Sequence, residues 1–86
     1  MAVAKKDMYQ FQRERVERIA RELDPPKAAE FEETSGRHIR FRVRDKATGV
    51  DLTGVCGEWF PDELAGKSDD WIRAYIIFKE LANEKL

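Results

Sequence analysis

His38-Ile39-Arg40-Phe41-Arg42-Val43-Arg44-Asp45-Lys46-Ala47-Thr48-Gly49-Val50-Asp51-Leu52-Thr53-Gly54-Val55-Cys56-Gly57 is the stretch on which the fold turns. From His38 to Arg44 apolar and charged residues alternate strictly, the period of a strand with one buried face. Ile39, Phe41 and Val43 fall on one side, His38, Arg40, Arg42 and Arg44 on the other. Lys46-Ala47-Thr48-Gly49 reads as a four-residue turn with glycine where φ is positive. Val50 to Gly57 reads as the returning strand. Pairing Asp45 with Val50 sets Val43 opposite Leu52, Phe41 opposite Gly54 and Ile39 opposite Cys56. On the other face the same register sets Arg44 against Asp51 and Arg42 against Thr53. One register gives both faces a sensible partner.

Upstream, Ser35-Gly36 reads as a turn. Residues 26–33 admit a short helix capped by Asp24, and Glu30 to Thr34 admit an edge strand instead. Before them, helical spacing predicts a helix over residues 7–24. Met8, Val16, Ile19, Ala20 and Leu23 share one arc with Tyr9. Glu14 and Glu17 each precede an arginine by four residues, the favourable order for ion pairs with Arg18 and Arg21. Asp7 with Gln10 resembles a capping box. Asp24-Pro25-Pro26 stops the helix, because a residue before proline avoids the α region.

Downstream, Glu58-Trp59-Phe60-Pro61 leads into a turn or helical loop through Leu64. Ser68, Asp69 or Asp70 then caps the last element. That element reads in two ways. As a strand over 71–78 it places Ile72, Ala74, Ile76 and Phe78 on one face. As a helix it places Trp71, Ala74, Tyr75, Phe78, Leu81, Ala82 and Leu86 on one apolar face. The length of the pattern favours a helix over 70–84. Ile72, Ile76 and Ile77 then lie outside the core-facing arc, which predicts a homodimer or a protein partner docked on the Ile72–Ile76 side. The expected architecture is α+β: an N-terminal helix, an antiparallel β-hairpin or small three-stranded sheet, and a C-terminal helix.

Composition bounds the rest. Eighty-six residues make one small domain over 1–86 with a thin core. Apolar residues at 42% and charged residues at 38% describe a folded, soluble chain rather than a disordered one. The 16 Lys and Arg nearly cancel the 17 Asp and Glu, so net charge argues for no class of partner. The single cysteine, Cys56, excludes an internal disulfide and favours a reducing compartment. With no apolar leader near Met1, a cytoplasmic location is expected. The longest apolar run, Ala74 to Phe78, is too short to cross a bilayer.

Little in the chain points to catalysis. One His and one Cys at unrelated positions do not make a metal site. Gly54-Val55-Cys56-Gly57 matches the GxxG pattern of an RNA-binding loop, but these residues read as strand. The hairpin register turns Cys56 inward and His38 outward, so the two do not form a nucleophile–base pair. Ser35, His38 and Asp45 have nothing to orient them around one point. The acidic run Glu30, Glu32, Glu33 and the pair Asp69-Asp70 read as a solvated edge and a helix N-terminus.

The exceptional cluster is basic: Arg37, His38, Arg40, Arg42 and Arg44 lie within eight residues. An arginine-lined sheet face can contact phosphates, and it can also be an ordinary polar face neutralised by Asp51 and nearby glutamates. Phe41 points to the opposite face, so the aromatic platform of RNA-binding sheets is missing. The expected role is therefore a small non-enzymatic binding or accessory protein acting on a protein partner, without a cofactor. A nucleic-acid-binding module using the arginine face is the second reading, and an enzyme a distant third.

Overall fold

A computed structural model describes residues 5–32, 34 and 38–84. The Ser35-Gly36 turn, Arg37, Glu33 and Leu86 lie outside the described residues. The elements run α1 (Lys5–Arg21), β1 (Lys27–Phe31), β2 (Ile39–Asp45), β3 (Cys56–Trp59), α2 (Pro61–Ala65) and α3 (Asp69–Glu84). The strands form an antiparallel sheet in the order β1-β2-β3. This is the expected α+β class, and the third strand comes from residues 27–31, not from 71–78.

The alternation along β2 does what its period requires. Ile39, Phe41 and Val43 are buried and the residues between them are only half-buried. Asp45 holds the turn by accepting hydrogen bonds on Oδ1 from the Ala47 and Thr48 N–H groups, both at 2.9 Å. Gly49 supplies the positive φ of 76°. Near the turn the expected register is found: Asp45 N–H donates to the Val50 carbonyl, Leu52 N–H to the Val43 carbonyl, and Arg44 bridges Asp51.

Beyond that point the register differs from the expected one. Phe41 pairs with Cys56 rather than Gly54, and Ile39 with Trp59 rather than Cys56. Asp51 explains the first change. Its Oδ1 accepts the N–H groups of Thr53 at 3.2 Å and Gly54 at 2.9 Å, folding that segment out of the ladder. The Thr53 hydroxyl then takes the Val43 N–H at 3.0 Å, in place of a backbone carbonyl. The second change sits at Gly57, whose φ of 56° accommodates one extra residue in β3. The bulge turns Trp59 onto the inner face, where Glu58 would otherwise lie.

α1 buries Val16, Ile19, Ala20 and Leu23 as its pattern predicts. It already runs through Asp7, so Asp7 is not its cap. Regular helix ends at Arg21, with hydrogen bonds from Glu22 and Leu23 continuing the last turn. Arg18 pairs with Glu22 and with Asp69 rather than with Glu14. α3 begins at the predicted cap, where Ser68 Oγ accepts the Trp71 N–H at 3.0 Å.

The roll of α3 reverses the expected one. Ile72 and Ile76 are 1% and 0% exposed and complete the core with Leu64, Cys56, Phe41 and the α1 residues. Ile72 and Ile76 are therefore not an interface, whereas Ile77 is exposed. The cause is polar. Asp69 binds Arg15 at 2.7 Å, Glu80 lies 3.9 Å from the buried Lys27 ammonium, and Asn83 donates to the Leu52 carbonyl at 3.1 Å. Positions 69, 72, 76, 80 and 83 share one arc of a helix, so one roll satisfies all three anchors and buries both isoleucines. Trp71 and Tyr75 stay beside that arc, stacked on each other and edge-on to Trp59.

Candidate docking surface

The helices cover the face of the sheet that carries Ile39, Phe41 and Val43, which leaves the arginine face of β2 open. Every described arginine on it is matched. Arg40 faces Glu32 at 3.2 Å and Glu58 at 3.3 Å. Arg42 donates to Glu32 at 2.6 Å and Asp51 at 2.9 Å. Arg44 donates to Glu30 at 3.0 Å and to the Gly49 carbonyl. The three guanidinium groups thus share four carboxylates. The pairing lowers the pKa of Glu32, through its hydrogen bond from Arg42 first. For Asp51, burial opposes the charge, but the Gly54 and Thr53 N–H groups and Arg42 together outweigh it and lower the pKa. His38 does not join the row, because its ring packs 4.4 Å from that of Phe60. Arg37 lies outside the described residues.

Cys56 is fully buried, as its inward position predicts. Burial pushes its thiol pKa up, against a hydrogen bond to Thr53. Among the described residues no group of three His, Cys, Asp or Glu could hold a metal ion. No helix among them is long and apolar enough to cross a membrane. An open groove along α1 is lined by Phe11, Arg15, Arg18, Arg21 and Asp69. Its Arg15 is structural: it binds Asp69 and donates to the carbonyls of Leu64 and Lys67, tying α1 to the junction of α2 and α3.

Phe11, Val50 and Phe60 are exposed singly elsewhere, whereas the outer side of α3 exposes several large apolar side chains together. Trp71, Ile77, Phe78 and Leu81 are 38%, 44%, 66% and 53% exposed. Ala74 and Ala82 are exposed with them. Residues 74, 77, 78 and 81 follow the i, i+3, i+4, i+7 spacing of a helix that docks by one stripe. Charges flank the stripe. Arg73 binds Asp70 at 2.7 Å at the start of the helix, the Lys67 ammonium lies 4.6 Å over the Trp71 ring, and Glu84 is exposed at the far end. The exposed apolar area of these side chains is on the order of 400 Å², within the range of functional patches.

Helical spacing alone assigns Trp71, Ala74, Phe78, Leu81 and Ala82 of this stripe to the core and leaves Ile77 outside it, and only the position of Ile77 is found. The apolar pattern does not place it outside: Asp69, Glu80 and Asn83 lie on the isoleucine arc, and their partners Arg15, Lys27 and the Leu52 carbonyl are far away in the chain. No protein-family model, curated protein or solved structure matches this chain.

Proposed function

We propose that this chain is a small protein-binding module, working without catalysis in a reducing compartment such as the cytoplasm, and that it binds through the outer face of α3. One observation carries the reading: a helix whose inner arc is fully used by the core presents a second apolar stripe at docking spacing. Solvating that stripe is unfavourable, and covering Phe78 alone is worth about 1.5–3 kcal/mol if its exposed part is removed from water. The arginine face is the weaker candidate, since Arg40, Arg42 and Arg44 already hold carboxylates that an incoming phosphate would have to displace.

Photo-crosslinking in the cells that make the protein tests the proposal. A benzophenone side chain at position 78 should give a discrete protein adduct, and one at position 46 in the β-turn should give none. Equal labelling from both positions, or no adduct from position 78, overturns it.

A further inference from the structure

We infer that the occupant of this face is a second copy of the chain, with the two α3 helices packed antiparallel about a twofold axis near Ile77 and Phe78. This rests on reading the outer face of α3 as a protein-contact surface. Three features favour a copy of the same chain.

The first is shape. An antiparallel pair centred between residues 77 and 78 sets Ile77 opposite Phe78 of the other copy and the small Ala74 opposite Leu81. Large side chains thus meet small ones on both halves of the interface. A twofold interface uses one patch twice, so a patch has to complement itself, and this stripe does.

The second is charge. The same alignment brings Arg73 of each copy close to Glu84 of the other, once at each end. Arg73 spends one contact on Asp70 and keeps donors free, since a guanidinium carries five. A parallel pairing would instead put the Arg73 and Glu84 flanks of the two copies on opposite sides of the interface, where they form no such contact.

The third is area. An apolar patch on the order of 400 Å² is about half of the roughly 800 Å² that each partner contributes to a standard interface. The charged flank formed by Asp70, Arg73 and Glu84 supplies the polar rim that such interfaces carry. A single small core also gains proportionally more from doubling than a large one does.

Sedimentation equilibrium of the full chain, from micromolar to near-millimolar concentration, tests the inference. Wild type should show a monomer–dimer equilibrium. Phe78→Glu should be monomeric throughout while keeping its circular dichroism and cooperative melting. Arg73→Glu should weaken dimerisation by roughly tenfold, because the contact occurs twice at the rim, and adding Glu84→Arg should restore it. A monomeric wild type, a Phe78→Glu protein that still dimerises, or a charge swap that fails to restore pairing each overturns the inference. Crosslinking at position 78 separates the two claims. A monomer whose position 78 captures a different protein defeats self-pairing alone, whereas a monomer that captures nothing defeats the docking surface as well.

Discussion

At the scale of single residues, chemistry follows from which side of the sheet or helix a side chain takes. Cys56 is the clearest example. The thiolate is the reactive form, and burial raises the thiol pKa, so both access and ionisation are suppressed. Alkylation of the native protein at neutral pH should therefore proceed only as fast as the chain opens, and Cys56→Ala should leave the contacts of α3 intact. Labelling at the rate of a free peptide thiol would contradict the buried position. The inward orientation of Cys56 was legible from alternation alone. Its partner was not: opposite Phe41 rather than Ile39, it has been displaced by the Asp51 turn. A carboxylate competing for backbone N–H groups leaves no trace in a pattern of apolar and polar residues.

At the scale of elements, α3 decides most. Its helical state was readable from the length of its pattern, and its cap to within three residues, of which Ser68 takes the role. Its roll was not, because the chain offers two apolar arcs of similar width, one through Trp71, Phe78 and Leu81 and one through Ile72 and Ile76. Hydrophobicity cannot choose between them. Long-range polar contacts from Arg15, Lys27 and the Leu52 carbonyl do. The roll has a direct stability signature. Ile76→Ala should cost about 2–5 kcal/mol, as core truncations do. Phe78→Ala should cost within roughly 0.5 kcal/mol, as surface substitutions do. Urea denaturation at concentrations low enough to keep copies apart reads both, and the opposite ranking would restore the roll that apolar patterning predicts. β1 illustrates the same limit: its alanines are weak strand formers, so residues 26–33 read equally as a short helix or as an edge strand begun at Glu30, yet Lys27 to Phe31 pair with β2 from end to end.

At the scale of the molecule, the depressed carboxylates act together. Glu32 on the open face is held by Arg42, Asp45 in the turn by the Thr48 and Ala47 N–H groups, and Asp69 at the helix junction by Arg15 and Arg18. In each the pKa in the folded protein lies below that of the unfolded chain. Such a group stabilises the fold fully above its unfolded value and loses that contribution as pH falls through the folded value. The melting temperature should therefore decline once pH drops below about 4, where free carboxyls begin to protonate. Removing charge in advance, with Glu32→Gln and Asp69→Asn together, should flatten the decline. A wild-type melting temperature that ignores pH in that range would show that these pairs contribute nothing to stability. The formal charge near zero conceals this sensitivity, because it counts groups without recording where they meet.

The buried ammonium of Lys27 has one more consequence. It sits 5% exposed on the inner side of β1, held by the Pro25 carbonyl at 3.0 Å and Glu80. β1 is an outer strand of the sheet, and an outer strand is where fibrils and runaway polymers begin, by adding one more strand to an open ladder. A lysine turned inward at that edge obstructs such growth, since a continuous cross-β stack would have to seal the ammonium into an apolar seam. The self-pairing inferred for α3 would have the opposite character, since two helices meeting by identical faces make a closed pair that cannot grow.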